Sequence, residues 1–202
     1  MLLPIAGFNP MANDFAKAKL EYLINIAAEE IAQDELEKIN RKYKLDNNLD
    51  IKVGLNLVDD VGGMWSNHFV TDYKSKFEFD SILKRSFCTP HFWTSENVTK
   101  EIIVRRVKEY VFRSMFCISN SNSESLGALF AQELFVQQQM DDRCSDFKPE
   151  DYVEIRDVYQ KNKNSTDYNL IFNFFYGDSA SEGLGYPQFG VKGKDGFEYT
   201  IL

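Results

Sequence analysis

Between Ile51 and Leu57 the chain alternates without exception: Ile51, Val53, Leu55 and Leu57 are apolar, and Lys52, Gly54 and Asn56 stand between them. A period of two sends every apolar side chain to one face of an extended strand, so this segment belongs to a sheet with one face on a core. The following Asp59-Asp60-Val61-Gly62-Gly63 reads as a turn, because glycine reaches positive φ and aspartate bonds to nearby backbone. Beyond it Trp65, Phe69 and Tyr73 fall on one side of an extended chain, with His68, Val70, Asp72 and Lys74 on the other. A β-hairpin is therefore expected over about 49–74.

Elsewhere the apolar period is helical. Phe15, Leu20, Leu23, Ile24, Ala27, Ala28, Ile31 and Ile39 make one stripe, which predicts a single long helix over 13–43. Asn13 serves as its N-cap, Glu37 and Arg41 as an ion pair four apart, and 46–48 as the closing turn. A second helix is expected over 95–118. A third follows the capping-box pattern Ser121-Asn122-Ser123-Glu124 and runs to about Gln139. A fourth starts at Pro149, which suits the first helical position, and runs to about Lys161. Asp167 to Tyr176 predicts a short aromatic helix stopped at Gly177, and the alternation of Phe197, Tyr199 and Ile201 a C-terminal strand. The expected class is α+β, mainly helical with a small antiparallel sheet. Without repeats or a Pro/Gly/Ser linker, one domain over 1–202 is expected.

A formal net charge of -8 argues against a nucleic-acid surface, which needs clustered Lys and Arg, and disfavours an anionic membrane. No apolar run approaches the ~20 residues of a spanning helix. Cys88, Cys117 and Cys144 are an odd, irregularly spaced set that fits reduced thiols, and a cytoplasmic location is expected.

Both histidines, both tryptophans and one cysteine crowd between Asp59 and Glu96. Cys88 and His91 have the spacing of a metal half-site, with His68 and Asp72 as further ligands of a divalent ion. An extended chain spreads residues four apart by roughly 13 Å, which opposes that set; packing roles for Cys88 and His91 are the alternative. No other cofactor is implied. On the third helix Glu133 and Gln137 project into the stripe of Leu126, Leu129, Phe130 and Met140. A buried carboxylate needs a partner: Arg105, Arg106, Arg113, a tyrosine or a histidine. With His91 or His68, Glu133 would make an acid–base pair; with arginine, a structural link.

Gly183-Leu184-Gly185 lacks the preceding strand and third glycine of a nucleotide loop and reads as a helix stop, with Asp178 capping a short helix over 179–184. His-Glu-x-x-His and Gly-x-Ser-x-Gly are missing, and Ala131 to Val136 has Gln132 and Val136 where zinc ligands would stand. The aromatic run Phe172 to Tyr176 is either core or, if one side is exposed, a partner or homodimer face. The favoured reading is a binding or interaction domain with a pocket between 65–96 and the Glu133 helix. Trp65, Asn67, His68, Trp93 and Gln137 would contact its ligand. The alternative is a hydrolase using metal, or Glu133 with His91.

Overall fold

The computed structural model describes residues 14–43, 50–61, 67–120, 124–140, 152–192 and 195–201. It is mainly helical with short strands, and the chain divides into two compact units, Met1–Ser114 and Met115–Leu202.

In the first unit, α1 (Phe15–Asn25) and α2 (Ala28–Tyr43) replace the expected single helix. The break is at Ala27, whose φ of 55° leaves helical space. No glycine or proline marks it, so the apolar stripe carries through unbroken. The expected ion pair is also rearranged: Arg41 Nε donates to the Glu37 carbonyl oxygen, not to its carboxylate. Asn13 and the 46–48 turn lie outside the described residues.

The alternating segment is extended as expected, in two pieces, β1 (Lys52–Val53) and β2 (Asn56–Val58). Its partners are β3 (Phe87–Cys88) and β4 (His91–Trp93), and both pairs are parallel, in one continuous register from Lys52 opposite Phe87 to Val58 opposite Trp93. Pro90 brings no N–H to the ladder, which explains the gap between the pieces. The Pro90 carbonyl still accepts from Asn56 N at 2.9 Å. Leu57 and Phe92, both buried, point to one side.

The expected antiparallel hairpin over 49–74 does not form. The chain from His68 to Phe77 is a helix, α3, and after the short α4 (Asp80–Leu83) it returns to the sheet as a crossover. Phe69 and Tyr73 are four apart, a spacing that keeps them on one side of a strand and of a helix alike. The helix start is set by Asn67, whose Oδ1 accepts from Phe69 N at 2.8 Å. From α5 (Lys100–Ser119), Ile103, Val107, Tyr110, Val111 and Phe112 enter the core.

In the second unit, α6 (Leu126–Gln139) ends where expected, but its N-cap is Ser125, whose hydroxyl accepts from Ala128 N; 121–123 lie outside the described residues, as do Pro149 and Cys144. α7 covers Val153–Asn162 and α8 Tyr168–Gly183. The run Phe172 to Tyr176 is wholly buried, so no side of it is left for a partner. Its rings close on α9 (Asp195–Tyr199), where Phe197 lies 4.9 Å from Phe175 and 5.4 Å from Tyr176. α9 takes the place of the expected C-terminal strand: Phe197 packs on Phe175 and Tyr199 on Phe130, which one helical turn allows.

Gly177 marks the end of the aromatic helix as expected, through a kink inside α8 with φ 80° and ψ 174°, a conformation open essentially to glycine alone. Asp178 does not cap the helix after it. Its Oδ1 accepts from Asn173 Nδ2 and from the backbone N–H groups of Phe189, Gly190 and Val191 at 2.9–3.3 Å, gathering the 189–191 loop. Charged acceptors make the stronger hydrogen bonds, so Asp178→Ala is expected to cost about 2 kcal/mol. Urea denaturation measures this, and a loss below about 0.5 kcal/mol would mean that the loop holds itself.

Candidate functional site

The helical state of α3 changes what its side chains can reach. Residues four apart on a helix share a face, with Cβ atoms about 5–6 Å apart. His68, Asp72 and Lys76 therefore form one row, in which Lys76 Nζ donates to Asp72 Oδ2 at 2.7 Å. The row meets β4: the His68 ring lies 4.0 Å from that of Trp93, and Asp72 and Lys76 both act electrostatically on His91. His91 contacts Trp93 edge-on at 6.4 Å and Tyr110 at 6.0 Å, and the Tyr110 hydroxyl pairs with Ser75 Oγ at 2.7 Å. Asn56 is the register partner of His91 on β2 and leaves the sheet on the same side.

At the carboxyl ends of β2 and β4, where parallel strands commonly offer their ligand sites, Asp60 is held by the segment after β4. Ser95 N donates to Asp60 Oδ1 at 2.8 Å, Ser95 Oγ donates to Oδ2, and Thr94 Oγ1 lies 2.9 Å from Oδ1. The same Thr94 hydroxyl is 2.8 Å from the buried Asp59 and accepts from Asp60 N. Burial alone would raise the Asp60 carboxyl; the Ser95 and Thr94 hydrogen bonds and the facing His68 outweigh it and hold the group below its ordinary value. Asp60 Oδ2 lies 3.3 Å from His68 Nδ1. A carboxylate at that distance favours a proton on Nδ1, and in a neutral ring so protonated Nε2 is the acceptor. Among the described residues no group hydrogen-bonds His68 Nε2, and the side chain is 36% exposed.

His91 is the opposite case. Burial pushes its pKa down to about 4; Asp72 opposes the shift, and Arg106 and Lys76 add to it. Near neutral pH it is an uncharged imidazole. Burial likewise lifts the Tyr110 phenol above its ordinary value, and the Cys88 thiol to about 11 despite Ser114 and Arg113 beside it.

Of the residues expected to form a site, the fold gathers His68, Asp72, His91 and Trp93. Asn67 is spent on capping α3, and Cys88 is buried in β3. Among the described residues, no three His, Cys, Asp or Glu side chains gather as a group able to hold a metal ion. Trp65 lies outside the described residues. Glu133 and Gln137 belong to the second unit. There Glu133 is fully buried and accepts from Gln132 Nε2 at 3.1 Å, while the Cys117 thiol donates to Gln132 Oε1. Asp60, Thr94, Ser95, Tyr110 and Asn56 were not legible as site residues. Asp60 looked like a turn residue and Asn56 like the solvent face of a strand, and only the parallel pairing joins them to partners 34 and 35 positions away. No protein-family model, curated protein or solved structure matches this chain.

Proposed function

We propose that the first unit binds a small polar ligand along the side of the β2–β4 pair that carries His68, Trp93 and His91. The observation supporting this is the Asp60–His68 pair: an ionised carboxylate, fixed by three hydrogen bonds, orients an imidazole whose outer nitrogen has no protein partner among the described residues. A protein holds an imidazole in one tautomer at an edge where that nitrogen meets a ligand proton. The Trp93 ring beneath His68 supplies apolar contact beside it.

The same geometry favours a second reading, hydrolysis. His68 Nε2 takes a proton from water as its oxygen attacks an electrophilic carbon, and returns that proton to the departing group.

A ligand-observed NMR screen of small polar compounds tests the site. Hits should weaken at least about 10-fold, roughly 1.4 kcal/mol, in both His68→Gln and Asp60→Ala. Equal binding to all three proteins overturns the proposal. Turnover of a chromogenic ester panel that falls in both variants would select the hydrolytic reading.

A further inference from the structure

Asn56 Oδ1 and His91 Nδ1 are both buried, and among the described residues neither has a hydrogen-bond partner. Unpartnered buried polar atoms are uncommon in folded proteins, because each loses its water and gains nothing in return. These two belong to register partners on neighbouring strands, so they lie side by side on the face already carrying His68 and Trp93.

We propose that the Asn56–His91 pair receives the –NH2 group of a neutral carboxamide ligand. The inference rests on the binding site proposed above and names its ligand class. The carbonyl oxygen of Asn56 can only accept. His91, uncharged in its buried position, accepts at Nδ1 when its proton sits on Nε2. The spacing suits one donor group with two hydrogens: adjacent strands run about 4.8 Å apart. Two N–H···acceptor bonds of about 2.9 Å, diverging by about 120°, reach acceptors roughly 5 Å apart. A single hydroxyl proton cannot serve both. An anion would face two acceptors with Asp72 nearby, and an ammonium would leave its hydration shell for two uncharged partners, so the neutral amide is the least costly occupant. The neighbouring cations do not alter this, since Lys76 is engaged by Asp72 and Arg106 by Glu96.

With only two histidines in the chain, the imidazole signals of His68 and His91 report separately in a 1H–13C NMR titration, once His68→Gln has assigned them. The probes are acetamide, methylammonium and acetate at matched ionic strength. Saturable shifts of the His91 signal by acetamide, at least about 10-fold weaker in Asn56→Leu and absent with the two ions, are expected. The inference is overturned if acetamide leaves His91 unmoved in the wild-type protein, a result that does not depend on the variant folding. It is overturned equally if acetamide acts on Asn56→Leu as on wild type, which would assign the pair to a bound water only. Library hits that need His68 while acetamide spares His91 would retain the site and reject the amide. Acetamide shifts at His91 without any His68-dependent hit would do the reverse.

Discussion

The protein should lose about 3 kcal/mol of stability between pH 6.5 and pH 4 through His91 alone, and a His91→Leu variant should lack that component. The His91 pKa falls from the ordinary 6.5 in the unfolded chain to about 4 in the fold, so between those values the unfolded state binds more protons. The contribution is fully present above pH 6.5 and is lost as the pH falls toward 4. Burial is the main cause, and the groups facing the ring set the remainder: Asp72 against the shift, Arg106 and Lys76 with it, Tyr110 packed alongside. Carboxylates also titrate near the bottom of this window, so the observable is the difference between wild type and variant in urea denaturation at pH 7 and pH 4.5. Parallel pH profiles for the two proteins would refute a buried neutral His91.

Gly196→Ala should cost about 3 kcal/mol, at the upper end of what overpacking a filled site does. A Cβ at this position would run into the Phe174 carbonyl oxygen and lie 2.8 Å from two carbons of the Phe174 ring. Neither can give way cheaply: the oxygen is backbone, and Phe174 is fully buried with Phe175 set against it. Gly183, with nothing within 4 Å of an added Cβ, provides the contrast. There alanine should be neutral or stabilise by up to about 0.5–1 kcal/mol through helix propensity. Equal thermal shifts for the two variants would show that α9 does not rest on α8 as closely as described.

The helices were largely legible because their cause is local. The stripes over 100–119 and 126–139 put apolar residues at helical spacing, and Asp167 reaches the Leu170 amide within one turn. Gly177 as a stop needed only its lack of a side chain. At the C-terminus the alternation of Phe197, Tyr199 and Ile201 was overridden by packing: one helical turn seats Phe197 on Phe175 and Tyr199 on Phe130. At Phe69 and Tyr73 residues four apart were the only signal, for which strand and helix predict the same sidedness, and packing partners decided between them. That reading concealed the proposed site: taken as a strand, His68 and Asp72 were about 13 Å apart, whereas α3 sets them in one row.

By itself, then, the sequence determined the mainly helical α+β class, the extended segment at 51–57, the burial of Glu133 and the crowding of reactive side chains between Asp59 and Glu96. These follow from periodicity and composition, which act over one or two turns of chain. Tertiary structure decided that the strands pair in parallel through a helical crossover, that Asp60 is clamped by Thr94 and Ser95, and that Asn56 lies beside His91. Strand pairing is a choice among backbones that all offer the same N–H and C=O groups. It is settled by which buried faces fit together, and no local pattern contains that information.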